Sequence, residues 1–343
     1  MEDGANPLPM SVVIPTYNRA HLIGRSVKSV LRELLLGDEI IIVDDGSTDD
    51  TERVVAGMSG PIRYIRQANA GAGPARNRGI DASRNPLVAM LDSDDEWITG
   101  KTTLQRGLMM ARPDLVYTFS DFCVKKSETE VYPRYVVNWH RDPRPWSQIL
   151  GPGAAFSTFA PLPAGWSDFP VHIGNLYDSL MATNYVATFN LVMRREAIGS
   201  TRFSEDLFFC EDWELFAEAA RRGPVAYLDV ETAIQWGHDG PRLTQTNDYK
   251  TASSRIKMME RVWGADDAFL SRHREDYARV LAEQHDICAR WLLRHGRTRE
   301  ARLELRQVPK SRWRDRMLAL MPGSVVHAMF SIADMLRFQN GAS

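Results

Sequence analysis

Cysteine is scarce. The 343-residue chain has three, Cys123, Cys210 and Cys288, far apart and odd in number. None stand in C-x-x-C spacing, which excludes a zinc ribbon and leaves no disulfide framework. Such usage fits a reducing, intracellular compartment. Net charge is nearly absent too: 42 Lys and Arg against 44 Asp and Glu leave a formal -2. No basic field exists that would make nucleic acid the partner. The N-terminus, MEDGANPLPM, lacks a cationic start and an apolar run, so no secretory leader is expected. No clean apolar stretch of about 18 residues predicts a spanning helix. Glycine is missing where a dinucleotide fingerprint or a P-loop would need it. PTYNRAHL follows the first apolar run, and glycine returns only at Gly24.

At 44% hydrophobic and 25% charged, the chain can build a sizeable core. MSVVIPT (10–16), EIIIVDD (39–45), IRYIRQ (62–67) and PLVAMLD (86–92) are short apolar runs that predict buried strands. Helical patterns separate them, over 20–36, after Ser47 and Thr48, and over 73–83 behind Gly71, Gly73 and Pro74. The alternation predicts an α/β fold with a mostly parallel sheet flanked by helices. YVATFNLVMRREAI (185–198) reads as strand then helix, CEDWELFAEAARRG (210–223) as an amphipathic helix, and VAYLD (225–229) as a short strand. Residues 130–180, rich in proline and carrying Trp139, Trp146 and Trp166, predict an irregular, variable excursion. Its tryptophans fit a loop core better than sugar stacking. Helical periodicity dominates from about 248, which sets the expected domains at 1–245 and 246–343.

In open α/β sheets, ligands sit beyond the carboxyl ends of the strands. That rule gathers Tyr17 and Asn18, Asp44 and Asp45, and Asp92, Asp94 and Asp95 around one crevice. In LDSDDEW four acids fall within five positions. Their repulsion calls for a cation, and carboxylate oxygens suit Mg²⁺ or Mn²⁺ sharing its shell with substrate phosphates. An isolated acidic turn at a helix start is the plainer reading of a bare D-x-D. Asp44 and Asp45 ahead of Gly46-Ser47-Thr48 make an Asx turn and helix cap, or accept from a base N–H or a ribose hydroxyl. Without a glycine loop, phosphates must be held by a metal and by cations such as Arg76 and Arg78.

Together SVVIPTYNRAHLIGRSVKSVL, IIIVDDGSTDDT, NAGAGPARNRGI, VAMLDSDDEW and CEDWELFAEAARRG resemble the family 2 glycosyltransferases over about residues 10–245. The resemblance implies a GT-A fold, with a Rossmann-like nucleotide-binding sheet. It implies an inverting, metal-dependent enzyme that takes a sugar from a nucleotide-diphospho-sugar, most often UDP-linked. Acceptors in the family are hydroxyls of glycans, lipid-linked molecules or small molecules, and bacterial members build surface polysaccharides. By position, Pro15 and Tyr17 line the base pocket, Asp45 bonds the base, and Asp44 supports the same strand end. Arg76 and Asn77 match residues around the nucleotide and phosphates. Asp92 tends toward ribose and metal, Asp94 toward the metal, and Asp95 also falls where some members place a metal-facing acid. In the Glu-Asp motif, Asp212 matches the general base, with Glu211 orienting the acceptor.

An inverting transfer needs a base within hydrogen-bond reach of the acceptor hydroxyl and charge neutralisation at the leaving diphosphate. Downstream, IQWGHDGPRLTQ offers His238 as a metal ligand or a plain loop histidine, and Arg242 as a cation for phosphate. A nucleotidyltransferase is the rival enzyme, but it leaves CEDWEL unused and wants a glycine-rich loop. A non-catalytic nucleotide- or glycan-binding protein should have lost one of these acids. Near the C-terminus, Arg312, Arg314 and Arg316 precede an almost uncharged stretch broken by Pro322 and Gly323. That pattern predicts a helix pair with three readings. One is peripheral contact with the inner face of the cytoplasmic membrane, from a cytoplasmic protein. The others are a homodimer contact and an ordinary buried helix.

Overall fold

The structure is a computed structural model, and it describes residues 7–127, 129–140, 142–237 and 248–340, with side chains to residue 332. The strands are β1 (Met10–Thr16), β2 (Glu39–Asp44), β3 (Ile62–Arg66), β4 (Leu87–Met90), β5 (Glu96–Trp97), β6 (Tyr117–Lys125), β7 (Val131–Tyr132), β8 (Gly153–Ala155), β9 (Pro170–Gly174), β10 (Leu191–Arg194) and β11 (Val225–Trp236). The sheet runs β3-β2-β1-β4-β10-β6-β11-β9-β8, with β5 beside β11 and β7 beside β6. β3, β2, β1 and β4 are parallel, as the alternating pattern requires. All seven residues of β1 are buried, because helices cover both faces of such a sheet. The helix Ala72–Ala82 sits close on β1 at Gly79, where an added Cβ would lie 2.2 Å from Val13 Cγ1.

Beyond β4 the sheet departs from the expected pattern. β10 runs antiparallel and wedges between β4 and β6. Its chain returns from a long excursion, so no short crossover dictates its direction. β11 is also longer than the five-residue strand expected. After register shifts near Leu228 and Glu231 it goes on pairing with β6 as far as Trp236. Glu231, Thr232 and Gln235 disguise that extension as loop, while β6 satisfies its backbone. β5 pairs the other way along it, Trp97 opposite Ala233. This clamps the acidic loop 91–95 between β4 and β5. In the excursion, Trp146 stacks on Tyr227 at 3.9 Å and meets Phe119 edge-on at 5.7 Å. It anchors core, as such a residue in an irregular segment should.

The chain forms two compact units, residues 1–205 with 211–240, and residues 206–210 with 241–343. The second contains the helices Asp248–Val262, Asp267–Arg294, Thr298–Arg306, Trp313–Leu320 and Gly323–Asn340. Its core gathers Leu292, Leu293, Ala301, Leu305, Leu318, Ala319 and Val326. Among the described residues, no helix is long and apolar enough to cross a membrane.

Candidate active site

The loops after β1, β2 and β4 are stitched to one another. Asn18, in a left-handed turn at φ 51°, donates its backbone N–H to Ser47 Oγ at 2.9 Å. Its Oδ1 accepts from the Thr48 amide at 2.8 Å. Asp44 is fully buried and structural. It accepts from the Ser47 amide at 2.7 Å and from the Tyr64 hydroxyl. Asp45 holds the turn that opens the helix Ala72–Ala82. Its oxygens accept from Gln67 Nε2 at 2.9 Å, the Ala70 amide at 2.9 Å and the Gly71 amide at 2.7 Å. Pro15 is buried inside β1, opposite Val43, whereas Tyr17 is 45% exposed at the mouth of the crevice.

The helix Ile23–Leu31 grips the acidic loop from behind. Arg25 Nη2 donates to the Asp94 carbonyl at 2.7 Å, and Ser26 Oγ donates to the Asp95 carbonyl at 2.6 Å. The Arg25 guanidinium also lies 4.4 Å over the Trp236 ring. The three aspartates then separate by environment. Asp95 is 4% exposed and takes the Trp236 amide at 3.1 Å. Burial, then the charges of Asp94 and Asp92, push its pKa well up. Asp94 stays partly exposed, with Arg19 Nε at 3.8 Å. Asp92 accepts from Arg76 Nη2 at 2.7 Å on one oxygen and from Thr188 Oγ1 at 2.9 Å on the other.

Arg76 joins this loop to the Glu-Asp motif. Its Nη2 pairs with Asp92 at 2.7 Å and its Nη1 lies 3.9 Å from Glu211 Oε1. Its guanidinium sits 5.4 Å over the Phe203 ring. Burial opposes its charge, but Asp92, Glu211 and Asp212 together raise its pKa. Glu211 and Asp212 open the helix Glu211–Ala220, directly after Cys210, which is left-handed at φ 71°. A non-glycine residue in that region is uncommon and marks a tightly determined turn. Burial, reinforced by Asp212, pushes Glu211 up to about 7, with Arg76 opposing. Asp212 is also raised by burial, against Arg76 and the Trp213 amide, which donates to its Oδ1 at 2.7 Å. Both carboxyls of the pair are thus raised by burial beside a fixed cation.

The structure thus brings Asp92, Arg76, Glu211 and Asp212 into one cluster. Arg76 is buried and committed to those acids instead of standing open in the crevice. The Asn77 amide is spent on Phe203, giving to its carbonyl at 2.9 Å and taking from its N–H at 2.8 Å. His238 and Arg242 lie outside the described residues. Among the described residues, no group of three or more His, Cys, Asp and Glu is arranged to hold a metal ion. Asp92 and Asp94 are hard carboxylates of one loop, the ligand type that suits Mg²⁺ or Mn²⁺. Sequence reasoning missed Thr188. No motif marks it. It is fixed because Asn190, two residues on, donates to the Ser120 carbonyl at 2.7 Å while its own carbonyl accepts from Gln105 at 3.0 Å. Arg25 and Trp236 were missed as well.

Residues 11–157 match the sequence model described as Glycosyl transferase family 2. An uncharacterized glycosyltransferase of Nostoc sp. is 42% identical over 94 residues, 26% of this chain and 29% of that protein. An Escherichia coli relative, UDP-Glc:alpha-D-GlcNAc-diphosphoundecaprenol beta-1,3-glucosyltransferase, is 34% identical over 103 residues, 29% of this chain and 41% of that protein. In both cases the chain spans less than half of the relative. The succinoglycan biosynthesis protein ExoU of Rhizobium meliloti is 24% identical over 300 residues, 85% of this chain and 79% of its own. Among solved structures, S. aureus TarS 1-349 in complex with UDP-GlcNAc superposes with a TM-score of 0.57 at 15% identity, covering 88% of this chain and 89% of that one. GalNAc-T7 with UDP, GalNAc and Mn2+ superposes at 0.54 and 17% identity, covering 79% of this chain and 51% of that one. These likenesses show the fold, a mixed, mostly parallel sheet of the GT-A kind with helices on its faces.

Proposed function

We propose that this chain, a member of glycosyl transferase family 2, moves a sugar from a UDP-sugar to a hydroxyl of a lipid-linked glycan with inversion. The observation that carries the reading is the Arg76 bridge. It holds the first acid of the Asp-x-Asp loop at 2.7 Å and the Glu-Asp motif at 3.9 Å, so the donor end and the base end share one cation. The UDP ligands of TarS and GalNAc-T7 support UDP as the nucleotide. The diphosphoundecaprenol acceptor in the Escherichia coli relative's name supports a lipid-linked acceptor.

In this reading Asp212 takes the proton from the acceptor hydroxyl. The oxygen forms its bond to the anomeric carbon from the face opposite the diphosphate, and the bond to the diphosphate breaks, the leaving oxygen keeping the electron pair. Its raised pKa makes Asp212 a stronger base than a solvated carboxylate. Glu211, near half-protonated at neutral pH, keeps negative charge off the pair and orients the acceptor. Asp45 and Tyr17 receive the base, and Asp92 receives the ribose. Asp94, with Asp92, would hold a Mn²⁺ or Mg²⁺ ion, which when bound supplies Lewis-acid neutralisation of the diphosphate.

The test is Asp212→Asn. Transfer should fall by about 10²–10⁴-fold while UDP affinity, measured by calorimetry with Mn²⁺, changes little. Turnover at the wild-type level would remove Asp212 as the base. A thermal-shift panel of nucleoside diphosphates should show its largest shift with UDP, and a larger shift with another diphosphate would replace the donor assignment.

A further inference from the structure

Two consecutive helices of the second unit each carry a second apolar face that the fold does not use. On Trp313–Leu320, the side chains of Trp313, Met317 and Leu320 are 79%, 56% and 66% exposed. On the helix that begins at Gly323, Val325, Met329 and Ile332 are 43%, 46% and 57% exposed. Both triplets follow i, i+4, i+7 spacing, which gathers each within an arc of about 60°. The same helices already supply Leu318, Ala319 and Val326 to the core of the unit. On the first helix, helical spacing puts the buried Asp315, Leu318 and Ala319 on the side opposite the exposed stripe. Packing therefore explains one face of each helix and leaves the other in water.

The charge around these stripes has one sign. Lys310, Arg312, Arg314 and Arg316 flank them, and the only acid between residues 310 and 332 is Asp315, which is 8% exposed. The Arg316 guanidinium lies against neutral oxygens, Ser311 Oγ at 2.5 Å and the Pro309 carbonyl at 3.2 Å. Arg312 and Arg314 also line a cleft of about 930 Å³, with Arg290 and Arg294 and the ring of Trp291. Asp248 and Asp315 are the acids of that cleft, and Arg290 is paired with Asp286 at 3.0 Å.

We propose that this helix pair is a peripheral docking surface for an anionic lipid bilayer. Trp313, Met317, Leu320, Val325, Met329 and Ile332 enter below the headgroups, and Lys310 and Arg312, Arg314 and Arg316 meet lipid phosphates. A bilayer satisfies both features at once, because interfacial helices bury an apolar stripe and draw their rim cations to anionic headgroups. A second copy pairing through the same patch would instead set four cations against the same four. The surface stands independently of the transfer reaction.

The experiment floats the full chain with phosphatidylcholine vesicles, with and without phosphatidylglycerol. Wild type should float only with phosphatidylglycerol and be released by salt. The double variants Trp313→Ser/Met317→Ser and Arg312→Gln/Arg314→Gln should each lose roughly tenfold or more of the bound fraction. These side chains are exposed, and circular dichroism checks that the variants fold. Wild type that stays unbound, floats equally on phosphatidylcholine, or binds no better than the variants overturns the proposal. So does light scattering that finds a dimer abolished by Trp313→Ser/Met317→Ser, which would assign the face to a second copy.

Discussion

In Glu211→Gln, one carboxyl's contribution to the pH dependence of stability should vanish. Burial, and then the Asp212 carboxylate, lift Glu211 from its ordinary 4.5 to about 7, against Arg76. Between those two values the folded protein holds a proton that the unfolded chain has released. The stability linked to that proton is present in full below the unfolded value and is lost as pH rises through the folded one. From about pH 5 to about pH 8 the loss is about 2 kcal/mol, at about 1.4 kcal/mol per pH unit inside the window and discounted for partial exposure. Glutamine has no proton to lose. The unfolding free energy of wild type relative to the variant, from urea titrations at intervals across that range, should therefore fall by this amount as pH rises, seen as a relative drop in the wild-type midpoint. Parallel midpoints would mean that Glu211 is ionised throughout. Arg76 at 3.9 Å would then outweigh burial, and a Glu211 carboxyl raised to about 7 would be refuted.

Asp94→Ala should weaken Mn²⁺-dependent UDP binding by about tenfold or more while leaving metal-free binding unchanged; an unaltered Mn²⁺ titration moves the ion elsewhere. Thr188→Val removes the 2.9 Å hydrogen bond to Asp92. It should cost about 1 kcal/mol in donor affinity, roughly a fivefold rise in KM, and Thr188→Ser should restore it. Gly79→Ala should destabilise the protein by about 1–3 kcal/mol, read as a lower Tm, because its Cβ meets the buried Val13 at 2.2 Å. An unchanged Tm would mean that the helix Ala72–Ala82 can lift from β1 without cost.

The parallel half of the sheet was readable because a strand buried on both faces has no reason to be anything but apolar. β1, β2 and β4 are such runs, and each ends in the polar residues the crevice needs. Asp44 illustrates the limit of that reading. Its place at a strand end was legible, but its carboxylate serves Ser47 and Tyr64. Asn77 is similar, since Phe203, which takes up its amide, stands 126 positions away in the chain. The second half of β11 hid behind its polar residues, and that half supplies the Trp236 amide to Asp95.

Residue type and local order alone determined the βαβ alternation, the carboxyl-end placement of the acids and the pairing of Glu211 with Asp212. Those depend on hydrophobic period and on neighbours in the chain, which a sequence displays directly. Only tertiary structure decided how the acids differ from one another. Asp95 is buried under Trp236, Asp94 keeps an exposed edge beside Arg19, and Asp92 is held between Arg76 and Thr188. Charge, burial and hydrogen bonding at one carboxylate are set by groups many residues away, and their distances exist only once the sheet has closed around the crevice.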